Sequence, residues 1–266
     1  MGKLKSLSIF VGQGLCNARC SHCAGMPLRE YAPVEDGTVD EVLVYRTLKD
    51  CYKQGARSLS LTSSGEPTLS PLAVTKALHL VRECEDEGIR FDPINLYSNG
   101  IRIGEDERFC QKYLSLWQVY GLKQVYVTVH DIDESKNAAA YGIKSYPPLK
   151  QVLSRIHSAG LLMRANLVLN RRTIGTLDDF TSSIRHLLHI GVDKVSAWPI
   201  RTLDDKVDTE LSLPTEELEQ MEIWAKRNFD SKKVRLLLEK SKVAYKTGQK
   251  LALFPDGTLS SSWCNH

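Results

Sequence analysis

Nowhere does this chain run to the ~18 consecutive apolar residues that a membrane-spanning helix requires, so no such span is predicted. It also lacks a strong charge of either sign. Its 35 lysines and arginines face 32 aspartates and glutamates, a net charge of +3, too small and too evenly spread to mark a polyanion track. KRNFDSKK and LNRRT therefore read as solvated faces or substrate contacts, and no nucleic-acid partner is expected. Neither an internal repeat nor a low-complexity linker interrupts the sequence, which excludes a solenoid and favours one domain. A disulfide framework is missing too: Cys51, Cys84, Cys110 and Cys264 are scattered, and the other three of the seven cysteines are bunched. The opening MGKLKSLSIFV is too short and too soon broken by glycine and cysteine for a signal peptide, so a cytoplasmic location is expected.

What is present is a regular alternation. Hydrophobic residues make up 42% of 266, enough to fill a substantial core, and short β-rich runs are separated by amphipathic stretches at helical spacing. Strands are predicted at LKSLSIFV, ARSLSLTSS, within RFDPINLYSNG, and at QVYVTVH, LLMRANLVLN and VDKVSAWPI. Between them, helices are predicted over VDEVLVYRTLKDCYKQG, Ser70 to Glu87, Asp106 to Tyr120, LKQVLSRIHSAG and TLDDFTSSIRHLLHIG. DIDESKNAAAYGIKSYPP is predicted as a long irregular loop, with YGIKSYPP a candidate lid. Six strand units in succession fit a doubly wound sheet or a barrel. Polar motifs after nearly every strand favour a partial (β/α)6 TIM-like barrel with a short C-terminal extension, because ligands collect at such strand ends. Residues 1–213 would form the core and 214–266 a helix and β-rich extension packed on it.

Chemistry concentrates in GLCNARCSHCAG, where Cys16, Cys20 and Cys23 follow a C-x3-C-x2-C spacing just beyond the first strand. A short glycine-flanked loop of this kind can wrap thiolates around a compact object and present backbone N–H groups to an anionic cluster. Structural zinc would ask for a fourth ligand, which His130 or Cys264 could supply only through the fold. CNARCSHC resembles the cluster motif of the radical S-adenosylmethionine enzymes. That resemblance implies three cysteines holding three irons of a [4Fe-4S] cluster, with the amino and carboxylate groups of S-adenosylmethionine on the fourth.

Further stretches line up with the same family in order. TSSGEPTL resembles its glycine-glutamate-proline motif, which puts Gly65, Glu66 and Pro67 beside the methionine amine; Ser64 stands where another glycine is commoner. An ammonium there would gain a charge-assisted hydrogen bond from Glu66, although GEPT alone also reads as a turn before a helix. In YSNG, Ser98 and Asn99 are implied to meet the cofactor carboxylate or ribose, or to form a tight turn. Thr128 and His130 share one side of the fourth strand end, facing ribose and substrate by the family pattern, with a surface histidine the rival reading. Alternation in MRANLVLNRR puts Arg164, Asn166, Val168 and Asn170 on one face, where polar groups on a buried strand need partners such as a ligand in a lumen. Asn166 resembles the family's fifth-strand cofactor contact. Trp198 or Ile200 would lie against adenine or simply pack in the core, and His22 stands where an aromatic residue often neighbours adenine. Arg171 and Arg172 read as carboxylate holders or as solvated charges.

The resemblance covers roughly residues 5 to 200. It implies reductive cleavage of S-adenosylmethionine to a 5′-deoxyadenosyl radical, which takes hydrogen from a small-molecule or nucleotide-like substrate, with an external one-electron reductant such as flavodoxin or ferredoxin. Tyr141, Tyr146 and Arg164 are the candidates on the substrate side. The ordering looks closest to molybdenum-cofactor-cyclase-like cores, but only Cys264 follows the terminal PDG turn, so one cluster is expected. Three alternatives stay open: a glycyl-radical-enzyme activase, a peptide-modifying radical enzyme, and a zinc-stabilised α/β binding protein without catalysis.

Overall fold

Alternation along the first strand has a direct structural outcome. In a computed structural model, which describes residues 3–202, 206–236 and 248–262, Leu7 and Ile9 of β1 (Ser6–Phe10) enter the main core while Ser6 and Ser8 face the other way. The same division repeats in β2 (Ser58–Thr62), β3 (Ile94–Ser98), β4 (Leu122–Val129), β5 (Leu162–Leu169), β6 (Lys194–Pro199) and β7 (Val234–Leu236). The strands lie in the order β7-β6-β5-β4-β3-β2-β1, all parallel. A doubly wound sheet must reverse its strand order at some point. This one does not, so right-handed crossovers leave the helices on one face, and the sheet is a partial (β/α) barrel with a separate inner side. β8 (Lys250–Leu253) adds to β1 in parallel, and β9 (Leu259–Ser260) pairs antiparallel with β8.

The helical layer comprises α1 (Glu41–Lys53), α2 (Pro71–Asp86), α3 (Ile101–Glu105), α4 (Glu107–Phe109), α5 (Ser115–Val119), α6 (Glu134–Tyr141), α7 (Leu149–Ser158), α8 (Leu177–His189) and α9 (Thr215–Asn228). Asp40 caps α1 by accepting from Leu43 N at 2.9 Å, and Thr176 and Asp179 close a reciprocal capping box on α8. No helix among the described residues is long and apolar enough to cross a membrane.

Two predicted elements differ. The helix expected from Asp106 to Tyr120 begins earlier, at Ile101, and is broken into α3, α4, a π-helical turn over Cys110–Leu114, and α5. Asp106 causes the first break, because its carboxylate accepts from Phe109 N at 2.9 Å and restarts the helix as a cap. The second difference is α6, which lies in the expected loop. Asp133 accepts from Ser135 N and Lys136 N, Gly142 closes the end in the left-handed region, and three alanines supply propensity between them. YGIKSYPP is therefore no free lid: Tyr141, Tyr146 and Pro147 are buried, and the Pro147 ring packs so closely on Gly104 that a Cβ there would overlap it.

Candidate functional site

The cysteine loop continues β1. After Val11 N donates to Thr62 O at 2.8 Å, the chain turns away and is pinned on two sides: Glu66 N donates to Leu15 O at 2.7 Å, and Arg19 N to Tyr141 O at 2.8 Å. The first of these contacts brings two loops together backbone to backbone. A Cβ on Gly65 would fall on the carbonyls of Gly14 and Leu15, and one on Gly25 would stand 2.6 Å from Ser64 O, so glycine is required at both. The cysteine loop and the SGEP loop are in effect one body.

Cys16, Cys20 and Cys23 are half-buried free thiols on that body. Burial pushes the Cys20 thiol up to about 12, and the neighbouring Cys23 and Cys16 add to the effect; burial likewise raises Cys16. Arg29, in the short 3-10 helix Met26–Tyr31, offsets that charge: its Nη2 lies 3.9 Å from Cys23 Sγ and its Nε donates to Ser64 O at 3.3 Å. Among the described residues no three His, Cys, Asp or Glu side chains converge so as to hold one metal ion. A tetrahedral zinc needs such convergence, whereas a cuboidal cluster takes its thiolates on separate irons. Three soft donors on one loop with a cation beside them are a donor set that an iron-sulfur cluster would take. Cys264 lies outside the described residues.

Glu66 sits at the junction and is 3% exposed. Its Oε1 accepts from Thr68 N at 3.1 Å, Thr68 Oγ1 at 2.8 Å and Ser98 Oγ at 2.8 Å, and its Oε2 accepts from Asn99 N at 2.7 Å. Burial pushes its pKa up while these donors pull the other way. The carboxylate thus clamps the ends of β2 and β3 together, leaving only a lone pair on Oε2 for a ligand. Pro67 follows it, buried. Ser98 and Asn99 are also spoken for: Ser98 Oγ accepts from Gly100 N at 3.0 Å, while the Asn99 amide donates to Asn17 Oδ1 at 2.7 Å and accepts from Ile101 N at 3.0 Å. The Asn99 Nδ2 also stands 3.9 Å from Cys16 Sγ, which ties the third strand end to the cysteine loop.

A row of rings closes the other side. His22 meets His130 edge-on at 4.9 Å, His130 meets Tyr141 at 4.7 Å, and Tyr141 stacks on Tyr146 at 5.3 Å. Burial, helped by His22, lowers His130 to about 3, so its ring is neutral; its Nδ1 is buried with no partner among the described residues. Both tyrosine hydroxyls donate to main chain, Tyr141 to Thr128 O at 2.7 Å and Tyr146 to Asn99 O at 2.8 Å. They brace the ends of β4 and β3. The half-buried Thr128 thus contributes its carbonyl to this brace.

On β5 the polar face is real. Asn166 is fully buried, yet among the described residues neither its Oδ1 nor its Nδ2 has a partner. Arg164 donates through Nη2 to Ser196 Oγ and lies 4.6 Å over the Tyr126 ring, with Nε buried and unpaired. Trp198 is half-buried on the inner side of β6, Ile200 is buried beyond its end, and Arg171 and Arg172 are exposed. Arg29, Asn17 and Thr68 are contacts that sequence reasoning missed. Only Thr68 carried a signal, as the residue after GEP.

Solved structures share this fold. The chain superposes on SuiB of Streptococcus suis bound to S-adenosylmethionine with a TM-score of 0.64 at 12% identity, covering 98% of this chain and 59% of that one. With SuiB bound to its precursor peptide SuiA the values are 0.66, 13%, 98% and 60%. A radical SAM methyltransferase from Sphaerobacter thermophilus gives 0.62 at 14% identity over 96% and 69%. The chain has the radical S-adenosylmethionine fold. At these identities the likeness is one of fold, and the chain spans about three-fifths of SuiB's length. No family model and no curated protein sequence matches it. In this radical S-adenosylmethionine fold the thiols, Glu66, His130 and Asn166 all stand at or near the carboxyl ends of the barrel strands.

Proposed function

We propose that the chain is a radical S-adenosylmethionine enzyme whose Cys16, Cys20 and Cys23 hold one [4Fe-4S] cluster. One observation carries this reading: three thiols on a loop beyond β1, locked through Gly65 and Glu66 to the loop beyond β2, above the inner side of a singly wound barrel. When bound, the cluster and S-adenosylmethionine supply one-electron cleavage to a 5′-deoxyadenosyl radical that abstracts hydrogen. The chain's own residues hold and shield. Arg29 offsets thiolate charge, Glu66 fixes the loop that faces the cofactor, and the unpaired groups of Asn166 and His130 offer hydrogen bonds to it. The Tyr141 and Tyr146 rings wall the site against water and are read as braces. The substrate is a small-molecule or nucleotide-like compound, and electrons come from a flavodoxin- or ferredoxin-like donor in the cytoplasm. Residues 1–213 form the core; β7, β8 and β9 of the remainder continue its sheet, which supports reading 214–266 as an extension packed on it. The likeness to peptide-bound SuiB keeps a peptide substrate as the second reading.

Anaerobic reconstitution tests the proposal. The protein should turn brown with about four irons per chain and, with dithionite, release 5′-deoxyadenosine from S-adenosylmethionine. Alanine at Cys16, Cys20 or Cys23 should abolish both. A cluster-loaded chain that neither binds nor cleaves S-adenosylmethionine sinks the reading, and a colourless chain with one tight zinc replaces it.

A further inference from the structure

The inner side of the barrel collects positive charge at the end away from the cysteines. Arg164 and Lys194 are direct neighbours across β5 and β6, and Arg235 pairs with Ser196, the residue whose hydroxyl accepts from Arg164. All three point away from the apolar core, since their strand neighbours Met163, Ala165, Val195, Val234 and Leu236 fill it. Lys250 approaches from the other edge of the sheet: on β8, Leu251 and Leu253 turn to the core and Lys250 to the inner side. Burial lowers the Lys250 pKa, with the like charges of Arg235 and Arg164 acting in the same direction. Lys194 and Lys250 begin their strands, and Arg164 and Arg235 lie within the first three residues of theirs. The thiols lie beyond the opposite, carboxyl end of β1.

Such a group is unstable by itself. Like charges drawn together repel, and a buried guanidinium nitrogen left unpaired carries a desolvation cost. Among the described residues no carboxylate forms an ion pair with Arg164, Lys194 or Arg235, and Arg164 Nε remains unpaired. An oxyanion supplies what is missing, because a guanidinium fork matches phosphate or carboxylate geometry.

We propose that Arg164, Lys194 and Arg235 form a floor that grips a phosphate or carboxylate of the substrate, leaving its reacting carbon directed toward the cysteine loop. This deepens the radical-enzyme reading and rests on it, since only then does the inner side of the barrel receive a substrate. Floor and mouth are separated by five residue steps of β6, roughly 16 Å, so the substrate is extended, with its anion at one end.

Calorimetric titration of the anaerobically reconstituted full chain tests this, with inorganic phosphate in one arm and acetate in the other. Saturable binding of one anion per chain is expected. Arg164→Gln and Arg235→Gln should each weaken it at least tenfold, and Lys150→Gln, on the exposed face of α7, should not change it. Preference for phosphate assigns a phosphorylated substrate; comparable acetate binding assigns a carboxylate. No saturable binding, or equal loss in Lys150→Gln and Arg235→Gln, overturns the floor. Should Arg164→Gln fail to fold, Arg235→Gln still decides, because Arg235 is exposed. Release of 5′-deoxyadenosine is read on the same samples. Cleavage without anion binding removes the floor alone, whereas anion binding without cleavage removes the radical reading and the substrate role with it.

Discussion

The two faces of the barrel sheet are built to opposite rules. Toward the helices, Leu59, Leu61, Leu96, Val125, Val127, Val129, Met163, Ala165 and Leu167 are completely buried and wholly apolar. Toward the inside stand Ser60, Thr62, Asn95, Gln124, Tyr126, Thr128, Arg164, Asn166, Lys194 and Ser196, in register with one another from strand to strand. Beside β1 and β8 the inner side is apolar, with Phe10 stacked on Phe254 at 4.7 Å and Leu28 and Ala252 packed with them. The helix side is therefore complete without help. The inner side leaves Asn166, Arg164 and Asn95 with unsatisfied buried atoms, which is the condition of a surface made for something other than protein.

Breaking the finished face should cost most. Leu61→Ala removes a fully buried side chain from a face with no slack, and its stability loss is expected at about 3 kcal/mol, within the range of such core truncations. Chemical denaturation reads that loss as a lower midpoint. Anion affinity at the floor should stay the same as long as the chain is folded. A loss below 1 kcal/mol would mean that the helix-side packing is looser than its burial implies.

A second change probes the seam between strand ends and cysteine loop. Glu66→Gln keeps the shape but swaps one acceptor oxygen for an NH2 group among donors from Thr68, Ser98 and Asn99. Whichever way the amide turns, a donor meets a donor, and a cost of about 2 kcal/mol follows. Iron loading per folded chain should persist while S-adenosylmethionine binding weakens. Unchanged denaturation would show that the four contacts do not hold the seam.

How much of this was legible beforehand depended on the range of the interaction. The order of strands and helices follows from local periodicity, as in LSIF and LSLT, and the cysteine site from spacing inside eight residues. α6 was not legible as a helix, because its short run ESKNAAAY has little apolar periodicity and depends on Asp133 and Gly142 at its ends. For Ser98 and Asn99 the resemblance implies cofactor contacts, with a tight turn as the rival. Their occupation by Glu66, Asn17 and the following turn depends on contacts up to 82 residues away in sequence. Arg235 was hidden for the same reason: only the pairing of β7 with β6 brings it beside Ser196, which accepts from Arg164.

The smallest effect is the most telling. Asn166 is fully buried with both ends of its amide unpaired, whereas its strand neighbours Ala165 and Leu167 belong to the finished face. Leucine is close to asparagine in shape and has no polar atoms to desolvate, so Asn166→Leu should leave stability unchanged or raise it by up to about 1 kcal/mol. If the amide exists for a ligand, the same variant should lose S-adenosylmethionine binding at least tenfold while keeping its iron. Destabilisation by 2 kcal/mol or more would instead show that the amide serves the fold, and the inner face would then be a second core rather than a binding surface. The two measurements separate these cases because a structural amide moves the denaturation midpoint and a ligand-binding amide moves the affinity.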